Sequence, residues 1–241
     1  MNNVFTDIRQ HTIVEPSTLT SGVVFALPHS GRDYGVSFLN QSILDKISIR
    51  SSEDAFLDQL IDGIEKYGAP KIIANAPRAF IDLNRSTDEL DPALISGIKN
   101  NIRNPRISSG LGVIPRVVSH GKEIYRGKLS FEQAQSRIEY YWKPYHKDLS
   151  NLLKRAQSIY GQSLLIDMHS MPHEAVSTQS SFIRAPEIVV GDRFGISSDP
   201  EFTNLIVSIL KQHGFRVAKN TPFAGAFITK HHGKIKERTH A

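Results

Sequence analysis

The sequence predicts an α/β protein with a mixed, mostly parallel central sheet and helices on both faces. Three observations lead there. Short, continuous apolar runs of strand length recur, most clearly Val23-Val24-Phe25-Ala26-Leu27 and Leu164-Leu165-Ile166, the pattern of strands buried on both sides. Helical patterns with recognisable caps alternate with such runs. Both runs stop abruptly at polar histidine clusters, Pro28-His29-Ser30-Gly31-Arg32 and Asp167-Met168-His169-Ser170-Met171, and ligands of such sheets gather just beyond the carboxyl ends of the strands.

In chain order, strands are predicted at 22–28, 71–75, 163–168, 186–190, 215–219 and 225–229. The first helix is expected to begin at Ser51, with Asp54 closing a capping box and Phe56, Leu57, Leu60, Ile61 and Ile64 forming its buried stripe. Arg78 to Arg85 alternates apolar and polar residues between two arginines and reads as a short strand. The turn-rich stretch from Asn100 to Gly112 reads as a surface excursion. A long helix starts at Ser130, capped with Gln133, and carries Ile138, Tyr141, Tyr145, Leu149 and Leu152 inward; Pro144 is expected to kink or split it. The clearest helix runs from Asp199 as cap, through Pro200, to Gly214 as terminator, with Phe202, Leu205, Ile206, Ile209 and Leu210 facing the core. Asn220 to Gly225 reads as a turn between the last two strands, and His231 and His232 as exposed members of a basic tail.

At 241 residues, 39% hydrophobic and 22% charged, the chain is expected to fold as one domain over 1–241. The net charge of +5 comes largely from Lys230 to Arg238, and so local a basicity does not imply a nucleic-acid partner. The absence of cysteine excludes disulfides, thiol nucleophiles and iron–sulfur ligation, so any metal is held by nitrogen and oxygen. The amino-terminal residues show no basic-then-apolar leader, and no stretch approaches the roughly 18 apolar residues of a membrane span. A cytoplasmic protein without a membrane partner is the expectation.

Imidazole is the commonest protein ligand for a transition metal, and two histidines from distant strand ends need one carboxylate to complete a catalytic zinc site with an open position. His29 and His169 are therefore the candidate ligands. Asp33, Glu53 and Asp54 are candidates for the third, Asp54 serving equally well as a helix cap. Asp167, two residues before His169, shares its side of the strand and is placed to orient it. Ser30 and Ser170 lie in no nucleophile elbow and have no assignable base. Arg78, Asn84 and Arg85 offer the forked donors and oriented amide that recognise a carboxylate, with Asp82 expected to form an ion pair with one of the arginines. Phosphate-binding glycine motifs are absent.

Taken together and in this order, Pro28-His29-Ser30-Gly31, the Arg78 to Arg85 block, Asp167-Met168-His169-Ser170-Met171, Gly191-Asp192-Arg193-Phe194-Gly195 and Asn220 to Thr229 resemble the N-formylglutamate amidohydrolase family. The resemblance covers most of the chain. It implies a fold similar to zinc carboxypeptidases and aspartoacylases, carrying one Zn2+ ion on His29, Asp54 and His169. It further implies Arg78 as the catalytic residue that polarises the carbonyl, with Asn84, Arg85 and Arg78 binding substrate. The implied reaction is hydrolysis of the amide of a small acidic N-acyl amino acid, with N-formyl-L-glutamate giving formate and glutamate and no nucleotide or redox cofactor. One departure stands out. Family members place a glutamate general base late in the chain, within a Gln-x-Glu strand, whereas here only Glu237 stands near the end. The expectation is that a final strand carrying the base lies beyond Ala241; otherwise Glu237 substitutes as a catalytic residue, or the chain cannot complete proton transfer. The competing reading is a non-catalytic binder of acidic small molecules that uses Arg78, Asn84 and Arg85.

Overall fold

In the computed structural model, which describes residues 7–98, 104–177 and 184–241, the apolar runs pair side by side as inner strands of a five-stranded sheet. Its members are β1 (His11–Val14), β2 (Val23–Leu27), β3 (Lys71–Ala74), β4 (Ser163–Asp167) and, after the separate parallel pair β5 (Ile188–Val190) and β6 (Val217–Lys219), the short β7 (Thr239–His240). The order is β1-β3-β2-β4-β7; β1 runs antiparallel at one edge and the other strands are parallel. The helices are α1 (Val36–Leu39), α2 (Leu57–Leu60), α3 (Pro105–Ser108), α4 (Phe131–Arg137), α5 (Lys143–Tyr160), α6 (Glu174–Ser177), α7 (Pro200–Gln212) and α8 (Phe227–His232). Among the described residues no helix is long and apolar enough to cross a membrane. Residues 1–6 and 99–103, the latter including the start of the expected surface excursion, lie outside the described residues.

Strand register explains where a site forms. Val23 to Ala26 pair with Leu164 to Asp167, and Phe25 to Leu27 pair with Lys71 to Ile73. Parallel strands held in this register release their following loops at one edge, so the segments after Leu27, Ala74 and Asp167 meet there. Gly31 allows one of these loops to approach another closely, because a Cβ at that position would run into the Ala76 carbonyl. Behind the edge, Val24, Ala26 and Ile72 are completely buried, and α5 packs on β2 and β4 through Tyr145, Leu149, Leu152 and Ala156.

The capping box at Ser130 forms as expected, Ser130 Oγ accepting from the Gln133 N–H and Gln133 Oε1 from the Ser130 N–H. Pro144 does not split the helix. A π turn over Ile138–Trp142 links α4 to α5, with the Lys143 N–H reaching back five residues to the Ile138 carbonyl, and Pro144 follows directly on this wider turn, which accommodates the proline within a continuous helical run. Asp199 and Pro200 open α7 as expected, with Asp199 accepting from the Glu201 N–H, but Leu205 and Ile209 on its supposed inner stripe are exposed.

Four expectations are corrected. The helix expected from Ser51 is reduced to the single turn α2, because Phe56 and Gly63 adopt left-handed backbone and Asp54 turns its carboxylate away from Ser51; only Leu57 of the expected stripe is fully buried. The Arg78 to Arg85 block is a chain of turns, with residues 79–85 buried consecutively rather than alternately. Residues 225–229 form no strand; α8 begins at Phe227, and the three-residue apolar run there does not separate helix from strand. His232 on α8 is buried rather than exposed.

Arg137, wholly buried at the end of α4, ties the helix to the arginine block. Its guanidinium lies 4.2 Å from the Phe80 ring centroid, and Nη1 donates to the Phe80 carbonyl at 2.9 Å and to the Tyr125 hydroxyl at 2.6 Å. Replacing it with methionine fills similar space but removes both hydrogen bonds and the cation over the Phe80 ring. Arg137→Met is expected to lower unfolding free energy by about 3 kcal/mol in urea denaturation; a change below about 0.5 kcal/mol, the range of an ordinary surface substitution, would show that the cation is dispensable.

Candidate active site and metal centre

Three side chains converge at the carboxyl edge of the sheet. His29, two residues past β2, is buried and donates from Nε2 to Asp82 Oδ1 at 2.7 Å. A neutral ring with its proton on Nε2 has a bare lone pair on Nδ1, and that buried atom has no hydrogen-bond partner. It lies 3.7 Å from Asp54 Oδ2. Asp54 Oδ2 is in turn 2.9 Å from Nδ1 of His169, two residues past β4, and the Asp54 N–H donates to the His29 carbonyl at 3.0 Å. One ligand atom from each of His29, Asp54 and His169 lies within 4.8 Å of the others. Ligand atoms sharing a tetrahedral zinc stand roughly 3.3 Å apart, and the two separations involving Asp54 bracket that value. Two imidazole nitrogens, one of them buried with an unpartnered lone pair, and one carboxylate fit a catalytic zinc with an open position.

The supporting charges follow the same logic. Burial alone would raise the Asp54 carboxyl, but the hydrogen bond from His169 holds it well below the usual range. Asp82 behaves likewise, burial being overridden by His29 and Arg78. Desolvation would push the His169 imidazole down, yet Asp167 at 3.1 Å from Nε2 and Asp54 on Nδ1 raise it to about 10.

The arginine block reaches the same site through Asp82 and Asn84. Arg78 Nε donates to Asp82 Oδ2 at 3.1 Å, the ion pair expected for Asp82. Arg85 is buried, and its Nε and Nη1 donate to the backbone carbonyls of Leu111 and Asn84, at 3.1 and 2.9 Å. Among the described residues it has no carboxylate within ion-pair distance. A buried guanidinium held by neutral acceptors is a ready receptor for an anion. Asn84 accepts from the Ile228 N–H on Oδ1, and its Nδ2 lies 3.0 Å from His169 Nε2 and 3.3 Å from Asp167 Oδ2.

Other candidates are placed elsewhere. Asp33 accepts from Arg9 and Glu53 from Arg50, so neither joins the metal cluster. Ser30 Oγ points to the Leu27 carbonyl, and Ser170 is exposed. Glu237 is corrected as a catalytic residue: Thr239 and His240 pair with Ser163 and Leu164, the opening residues of β4, so Glu237 lies toward the end of the sheet opposite His169. Its carboxylate is 66% exposed and faces Lys234. Sequence reasoning missed Asp82 as the partner of His29, for which the chain offers no periodic signal.

The family model for N-formylglutamate amidohydrolase matches residues 21–241. N-formylglutamate deformylases of Pseudomonas aeruginosa and Pseudomonas putida are each 25% identical, over 91% of this chain and 77% of theirs. A crystal structure of an N-formylglutamate amidohydrolase from Ralstonia eutropha JMP134 superposes with a TM-score of 0.88 at 30% identity, covering 97% of this chain and 84% of that one. A protein from Agrobacterium tumefaciens, at 15% identity and a TM-score of 0.57 over 89% of this chain and 74% of its own, shares the fold. With the match running through both histidine clusters and the arginine block, this chain belongs to the N-formylglutamate amidohydrolase family.

Proposed function

We propose that the protein hydrolyses the formyl amide of N-formylglutamate, using one zinc ion held by His29, Asp54 and His169. The observation that carries this reading is the buried, unpartnered Nδ1 of His29 facing Asp54 and His169. A bound zinc supplies a water acidified to a pKa of about 7 and draws electron density from a carbonyl oxygen. The chain's own residues do the rest. Asp82 keeps the His29 proton on Nε2 and holds Arg78 by its Nε, leaving the remaining guanidinium donors for the oxygen that gains charge as water adds to the formyl carbon. Arg85 receives a substrate carboxylate. An amide NH2 carries two hydrogens, so Asn84 can hold Asp167 with one and offer the other to substrate. As the C–N bond breaks, formate leaves with the water oxygen and the nitrogen leaves protonated as the amino group of glutamate.

The names of the Pseudomonas and Ralstonia relatives support this substrate. The test is zinc content per chain together with formate release from N-formylglutamate; a metal-free, inactive protein after zinc supplementation defeats the reading. Arg85→Ala is expected to raise KM by at least about tenfold while kcat changes less, since the lost contact binds ground and transition states alike; an unchanged KM moves the carboxylate elsewhere. The position of Glu237 favours one alternative, a binder of acidic small molecules without turnover. Calorimetry showing tight binding with no formate released by the zinc-loaded protein selects it.

A further inference from the structure

We infer that Trp142, His146 and His232 form a clamp that positions the Asn84–Arg85 turn, with His232 fixing which nitrogen of His146 carries the proton. The inference rests on reading that turn as the substrate-carboxylate pocket. Trp142 closes the π turn and His146 follows four residues later, so both project from one face of the helix. Trp142 Nε1 donates to the Arg85 carbonyl at 2.8 Å, and His146 Nε2 lies 2.8 Å from the Leu83 carbonyl. The two carbonyls that flank Asn84 are thus tied to the same helix face. A single π turn inside an otherwise α-helical run commonly marks a functional position, and here it supplies one of the two donors.

The proton positions follow from the partners. A carbonyl only accepts, so His146 Nε2 carries the hydrogen and, in a neutral ring, Nδ1 only accepts. Nδ1 faces His232 Nε2 at 3.0 Å, so His232 must donate there. A charged His146 would set two N–H groups against each other. Burial pushes the His146 imidazole down to about 3, despite its bond to the Leu83 carbonyl, and burial with the neighbouring His146, His231 and Lys234 pushes His232 down as well. The rings lie nearly parallel, 8° apart. Helix α8 therefore reaches the turn by two routes: Ile228 N–H to Asn84 Oδ1 directly, and His232 through His146 to Leu83.

Nothing in this device touches the metal cluster directly, so its effect should fall on substrate binding. His146→Phe and Trp142→Phe keep the ring packing and remove the donors. Each is expected to raise KM for N-formylglutamate about tenfold, with kcat within about threefold and zinc content unchanged, and to speed backbone hydrogen exchange at 83–86 about tenfold while β4 stays protected. His146→Gln, which can return an N–H to the Leu83 carbonyl, should recover most of both effects. His146→Phe with wild-type KM and wild-type exchange overturns the clamp. Because exchange does not depend on turnover, an inactive but zinc-loaded wild-type protein would defeat the proposed reaction while the same variants still decide whether the clamp exists: faster exchange upholds it, unchanged exchange overturns it.

Discussion

Replacing His169 with alanine should strip the protein of zinc and lower formate release by about three orders of magnitude or more. The size follows from what the metal supplies: without it, the attacking water returns from a pKa of about 7 toward that of bulk water, and no residue near the cluster offers an equivalent Lewis acid. Two ligands then remain of three, and metal affinity, which in such sites depends on the full set, should fall accordingly. His169 makes a cleaner test than His29 because its side chain is 31% exposed, against 3% for His29. Its loss leaves Asp54 with the longer contact to His29 and frees Asp167 of its imidazole, but opens no cavity in the packed interior. Zinc per chain by elemental mass spectrometry and formate release settle the matter together. A variant that still binds one zinc per chain with wild-type turnover removes His169 from the metal set.

His29 and His169 were legible because the physics that marks them is local. A strand buried on both faces is a continuous apolar run, and the abrupt change to polar residues at its carboxyl end locates the site without knowledge of the partner strand. The third member of the cluster was not legible from local pattern, since Asp33, Glu53 and Asp54 are equivalent until Arg9 claims the first and Arg50 the second. The roles of Asp82, His146 and His232 depend on contacts across 53, 63 and 86 residues of chain, for which no short-range periodicity exists. The same limit explains β1, a four-residue edge strand of mixed polarity that forms only by pairing with β3. It also explains Glu237, whose distance from the histidines was set by the register of β7 and not by its place near the end of the chain. Caps at Ser130 and Asp199 were readable because each is complete within four residues.

Asp82→Asn should cost about 10³-fold in kcat/KM while leaving the fold intact, and the reason lies in where three protons point. Asp82 Oδ1 accepts from His29 Nε2 and from the Asn84 N–H, at 2.7 and 2.8 Å, and Oδ2 accepts from Arg78 Nε at 3.1 Å. A carboxylate satisfies all three because it only accepts; an asparagine amide has one oxygen and one NH2. With NH2 toward Arg78, two donors collide and the guanidinium loses its anchor. With NH2 toward His29, the imidazole must accept on Nε2, which moves its proton to Nδ1, the atom that faces the metal position. Either arrangement disables one part of the site: the oxyanion donor, or a ligand in the wrong tautomer. Wrong-tautomer substitutions in histidine-based sites cost up to about 10⁴-fold, and loss of a carboxylate behind a metal-bound histidine about 10- to 100-fold, so a value between them is expected. Zinc affinity separates the two outcomes, falling if His29 is the one disturbed and holding if Arg78 is. Kinetics within about fivefold of wild type, with zinc affinity unchanged, would mean that the His29–Asp82 bond does not govern the metal-facing nitrogen, and the ligand set built on His29 Nδ1 would have to be redrawn.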